Sequence, residues 1–131
     1  MGKYSGWGFD ESFLADADLS AKQYRFVIPA STVGYVDVVS TAGASVLGVL
    51  QNDPRAGEEA TVRILGTTIL LVDSASAASY GKYLKAGSTG QGLGYQSLTA
   101  SVYAVAMALN TVTSGSGVEI EVLLLPGGAK A

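Results

Sequence analysis

The carboxylates come first, because a chain without histidine or cysteine has few other groups with which to do chemistry. Losing those two residue types removes disulfides, thiol nucleophiles, the common zinc ligand sets and every triad that uses imidazole as its base. Glu119 and Glu121 stand two apart, so on a strand they share a face and offer the acid and base of a glycoside hydrolase. Such a pair is usually drawn from separate strands lining a cleft, and this spacing reads instead as a solvated face. Asp16 and Asp18 supply two oxygens toward a calcium site, yet Leu19-Ser20-Ala21-Lys22 follows where a calcium loop needs a glycine and a distal glutamate. Asp18 or Ser20 is expected to fix a turn, and Ser20 with Lys22 is no signature of a Ser-Lys dyad. The run Gly87-Ser88-Thr89-Gly90-Gln91-Gly92-Leu93-Gly94 invites comparison with phosphate-cradling loops. It lacks both the Gly-x-Gly-x-x-Gly spacing and a following Gly-Lys-Ser/Thr, and no helix is predicted behind it to hold an anion. A β loop is the expectation. The residues predict no enzyme, no cofactor and no metal site.

Composition narrows the partners. The 131 residues suit one domain and bury roughly two thirds of the unfolded chain's surface. A net charge of −3, with eight scattered basic residues, opposes nucleic-acid binding, which needs clustered Lys and Arg to displace phosphate counterions. The start, Met1-Gly2-Lys3-Tyr4, has no apolar signal region, and the apolar runs Tyr103 to Leu109 and Val122 to Leu125 are far short of a membrane span. A soluble protein made in the cytoplasm, with no membrane partner, is expected. Charged residues are 15% against about 25% in ordinary domains, so part of the surface is either covered by a partner or simply rich in Ala and Gly.

The elements that must position any site read as β. Short runs of Val, Ile, Leu, Thr and Tyr bounded by Gly, Ser, Asn, Asp and Pro predict strands over 24–28, 34–39, 46–50, 60–72, 82–85, 101–109 and 118–125. Ser74 to Ser79 is a small-residue stretch, at most one helical turn. Gly66, inside the longest run, predicts a bulge or bend of the kind that turns a barrel corner. Val46 to Leu50, a polar turn and Thr61 to Leu65 are echoed by Val105 to Leu109, a turn and Glu119 to Leu123. The lead-ins Gly34-Tyr35 and Gly81-Lys82-Tyr83 correspond as well, so two related β units closing a barrel stand beside chance likeness between hairpins.

Several strands are apolar on both faces. Glu119, Glu121, Leu123 and Leu125 share one face of the last strand, which turns from acid to leucine, and Leu70 and Val72 extend an apolar outer face on the fourth. Strands apolar on both faces are covered on both faces. Leu70, Val72, Leu123 and Leu125 are thus the expected oligomer interface. Ala104, Ala106 and Ala108 line up opposite Tyr103, Val105 and Met107, which would let another backbone approach closely, within the chain or from outside it. Residues 1–18 follow no strand or helix period and hold Tyr4, Trp7, Phe9 and Phe13 among glycines and acids. They read as an N-terminal arm, followed by a β-barrel domain over 19–126 and a C-terminal tail over 127–131.

The order of Ala17-Asp18-Leu19-Ser20-Ala21-Lys22-Gln23-Tyr24-Arg25-Phe26-Val27, Val46-Leu47-Gly48-Val49-Leu50-Gln51-Asn52-Asp53-Pro54, Gly57-Glu58-Glu59-Ala60-Thr61-Val62 and Gly81-Lys82-Tyr83-Leu84 resembles the capsid decoration, or cement, proteins of tailed bacteriophages. The strand 118–125 fits too, so the resemblance covers residues 17 to 125. It implies an all-β barrel or β-tulip-like fold, a homotrimer, and a place on the outer surface of the virion head, bound to the major capsid protein. It carries no catalytic residues. Tyr4, Trp7, Phe9 and Phe13 lie outside the matched region and are read as capsid-binding, or as covering the outer leucines of their own barrel. Four aromatics burying about 200 Å² each give at most ~20 kcal/mol, against roughly 13 to 26 kcal/mol to order the arm. One arm is marginal, and three on a trimer gain from avidity. A carbohydrate- or ligand-binding barrel, with Tyr35, Tyr83 and Tyr95 as a stacking platform, is the alternative.

Overall fold

The described residues of this computed structural model, which are 8–73, 79–94, 102–111 and 118–130, form nine strands, most of them built on β-branched and aliphatic residues at alternate positions. In chain order they are β1 Gly8–Ala15, β2 Phe26–Pro29, β3 Tyr35–Val38, β4 Gly48–Leu50, β5 Glu59–Val72, β6 Tyr83–Ala86, β7 Gly92–Gly94, β8 Tyr103–Ala108 and β9 Val118–Lys130. The fold is all-β. The seven predicted strands are present, within a few residues of their expected ends.

Two strands are additions. β1 lies in the segment that showed no strand period, and it pairs antiparallel with β5 and parallel with β3. β7 lies in the glycine-rich run, pairing with β6 and β5. The expected tail is also strand: Ala129 and Lys130 pair with Ala104 and Tyr103. Ser74 to Ala78 lies outside the described residues.

The pairings close two five-stranded rings, β1-β3-β2-β4-β5 and β5-β7-β6-β8-β9, that share β5. The bend in β5 falls at Gly66 (φ 104°), where the strand leaves the first ring and enters the second. Each ring closes on its own core. Ala15, Val27, Val36, Leu50, Ala60 and Val62, with Leu19, line the first. The second holds Leu70, Val72, Leu84, Val105, Ile120 and Val122 among others.

The second ring repeats the first, register for register. Ala15↔Val36 becomes Val72↔Gly92, and Val27↔Val38 becomes Leu84↔Gly94. Phe26↔Val49 becomes Tyr83↔Met107, Val49↔Arg63 becomes Met107↔Leu123, and Phe13↔Ala60 becomes Leu70↔Ile120. Connections match as well. The Tyr24 N–H donates to the Leu50 carbonyl as the Gly81 N–H does to Ala108, and both residues have positive φ. Asn52 Oδ1 accepts the Thr61 N–H at 3.0 Å, and Asn110 Oδ1 accepts the Glu121 N–H at 2.7 Å.

The repeat is therefore real, but its sequence alignment is shifted. Val49 corresponds to Met107, one residue from the expected match, and Val62 corresponds to Val122, two from it. A period-2 pattern slides by two without penalty, and Ala108 in the place of Leu50 hides the remaining slip. The Gly-Tyr lead-ins are not counterparts: Gly34 matches Gly90, and Gly81 matches Tyr24.

Two-faced strands find their cover inside the chain. Val27 and Leu50 face the first core, while their neighbours Phe26 and Val49 belong to the second. The outer face of β2 and β4 is thus buried by the second ring, without another subunit. Leu70 and Val72 point inward and are fully buried, which removes them from the outer face where they were expected. Ile69 and Leu71 take that face, half-buried. The alanine face of β8 is also not separate, because a register shift between Ala104 and Ala106 buries Val105 with them.

Candidate docking surface

The outer faces of the two rings differ in chemistry at matching positions. On the first ring, cross-strand neighbours Asp10 and Arg63 form an ion pair with Nε to Oδ1 at 2.7 Å, and Arg63 Nη1 also donates to the Thr67 carbonyl at 3.0 Å. The guanidinium is thereby used within the sheet. At the corresponding place on the second ring stand Thr67 and Leu123. A charged pair has been replaced by an exposed leucine, 37% accessible.

Leu123 lies between Thr67 of β5 and Met107 of β8, and Met107 in turn faces Tyr83 of β6. Tyr83 and Met107 are half-buried, as is Leu125. Two residues along β5 from Thr67, Leu65 is 47% exposed and pairs across to Phe9, 52% exposed. Tyr83, Met107 and Leu123 thus form one cross-strand row on the second ring, and Leu65 with Phe9 a separate exposed apolar pair on the first.

The solved structures supply a counterpart. The crystal structure of the head fiber gp8.5 N base in bacteriophage phi29 matches with a TM-score of 0.65 at 13% identity, covering 94% of this chain and 98% of that chain. What the head fiber base and this chain share, at that identity, is the fold from end to end. No protein-family model matches the chain, and no curated protein does.

The expected site residues separate. Tyr4 and Trp7 lie outside the described residues, and so does Tyr95. Phe13 packs against the first core, whereas Phe9 faces outward beside Leu65. Tyr35 opens β3 in the first ring and Tyr83 opens β6 in the second, strands that are not neighbours in the sheet order. Of the four leucine and valine positions, Leu123 and Leu125 are on the outer face. Leu65, Met107 and Tyr83 join them without having been singled out as interface residues. A signal for Leu65 was present, since it abuts the bend glycine and continues the odd-numbered outer face of β5.

The groups weighed for chemistry have structural roles. Glu119 is exposed, but Glu121 is buried beside Ile69, so the pair is not a uniformly solvated face. Asp18 Oδ1 accepts the Ser20 N–H at 3.0 Å, an Asx-type turn in which the Ser20 hydroxyl and N–H hold the carboxyl below its usual range. Gly87 to Gly94 forms the β6–β7 hairpin, in which the Gly90 carbonyl accepts the Phe26 N–H at 2.8 Å. That run is a joint between the rings. Among the described residues, no cluster of three acids is arranged to hold a metal ion.

Proposed function

We propose that this chain is a capsid decoration protein of a tailed bacteriophage, a homotrimer on the outer surface of the head that braces neighbouring copies of the major capsid protein. The observation that carries the reading is the likeness to a phage head fiber base over nearly the whole of both chains. The decoration-protein resemblance of residues 17–125 points the same way from independent features of the sequence.

Phe9 is the described arm residue suited to contacting a capsid, because it is exposed and stiffened by its place on β1. Burying one such ring stabilises by a few kcal/mol, about 25 cal/mol per Å² over roughly 150 to 200 Å². Three on a trimer act at high effective concentration. Deleting the arm would not test this, because β1 closes the first ring. Phe9→Asp changes the surface alone.

Purified protein mixed with expanded heads should appear by electron microscopy as protrusions at local threefold positions. Phe9→Asp should keep the β fold and lower occupancy. Heads that stay bare with the unaltered chain would sink the proposal.

A further inference from the structure

We propose that residues 1–7, which lie outside the described residues, cross the outer face of the second ring of their own chain, with Trp7 on Leu123 and Lys3 beside Glu119. This concerns the isolated chain and stands whether or not it binds a capsid.

The strand pairings set the route. β1 runs antiparallel to β5, and its pairing ends with Gly8 opposite Gly66. At the next residue of β5, Thr67, the pairing with β9 begins. β1 and β9 share one edge of β5, because Thr61, Leu71 and Asp73 turn their backbone groups to Gln51, Tyr24 and Gly92 on the other. The chain that precedes Gly8, followed along the direction of β5, thus meets β9 in the plane of the sheet. On the core side Leu70, Val72, Ile120 and Val122 are buried against one another. The open way past β9 is its outer face.

That face and this segment are complementary. At the rise of an extended chain, about 3.3 Å per residue, Trp7, Ser5 and Lys3 come level with Leu123, Glu121 and Glu119, which follow one another at the same intervals on one side of β9. Leu123 is 37% exposed between the half-buried Thr67 and Met107, a seat for an indole. Glu119 is exposed and Glu121 is buried beside Ile69. Neither carboxylate has an ion-pair partner among the described residues, where the first ring sets Arg63 against Asp10. Lys3 is the one charged side chain of the segment, and its sign is opposite to theirs. Tyr4, on the other side of the extended segment, stays free for a capsid.

Trp7 is the chain's single tryptophan, so its fluorescence reports this contact alone. In the full chain Trp7 should emit to the blue of its urea-unfolded position and resist quenching by acrylamide, equally at every protein concentration. Leu123→Ser and Glu119→Lys, both at exposed positions, should each shift the emission to the red and raise the quenching constant, with unchanged far-ultraviolet circular dichroism. Adding Lys3→Glu to Glu119→Lys should reverse the change. An indole quenched as freely as in urea overturns the proposal. So does shielding that survives either single variant, a charge exchange that restores nothing, or shielding lost on dilution, which would mean that a neighbouring copy supplies it.

Discussion

Gly34 and Gly90 are the same residue in the same backbone state, with φ of 88° and 86°, at matching hairpins of the two rings. Their surroundings differ. A Cβ at Gly34 meets nothing within 4 Å, whereas one at Gly90 runs into Val38 Cγ2 and the Arg25 side chain. Gly34→Ala should therefore cost only the left-handed strain, about 1 kcal/mol. Gly90→Ala adds overpacking at the joint between the rings, for a total of about 2 to 4 kcal/mol. Urea denaturation of the two variants measures the difference. Equal losses would mean that Val38 and Arg25 give way freely, and that the joint is looser than its hydrogen bonds suggest.

At the scale of the element, Asn52 after β4 and Asn110 after β8 each tie the end of one strand to a backbone N–H of the next. Asn52 accepts from Thr61 and also donates through Nδ2 to the Glu59 carbonyl at 2.9 Å, while Asn110 accepts from Glu121. Asn52→Ala should cost about 1 to 3 kcal/mol and Asn110→Ala about 1 kcal/mol, read from denaturation midpoints. The reverse order would show that the Asn110 bond carries the greater share of closure. Strands with apolar alternation were legible in the sequence because burial of one face writes a period of two. β1 was not, because Asp10, Glu11 and Ser12 follow one another on the exposed edge of the first ring. β7 was not, because Gly92-Leu93-Gly94 has the composition of a loop, and its place in the sheet is decided by the hydrogen bonds of its neighbours.

For the molecule as a whole, the candidate surface was half legible. Leu123 and Leu125 stand on the outer face as their alternation with Val122 and Leu124 implies. Leu70 and Val72 take the inner face instead of the expected outer one, because a strand apolar on both faces carries no mark of which face is inward. Ring closure depends on pairings such as Phe13 with Ala60, far apart in the chain, and these leave no local pattern. The two rings are joined through β5 and through Phe26 and Val49, which begin on strands of one ring and end in the core of the other. Leu50→Ala in the first core and Leu84→Ala in the second should each lose about 2 to 5 kcal/mol. Each should move a single unfolding transition in calorimetry. Two separated transitions would show that the rings are independent units.

The sharing of β5 also sets an order in time. Every strand of the first ring has been synthesised by Leu65, whereas the second cannot close until Val118 and the residues after it have emerged. In the interval the far half of β5 stands as an open edge, from Thr67 to Val72, with its backbone groups awaiting β9. That open half of β5 is the stretch of the growing chain most exposed to pairing with a neighbour.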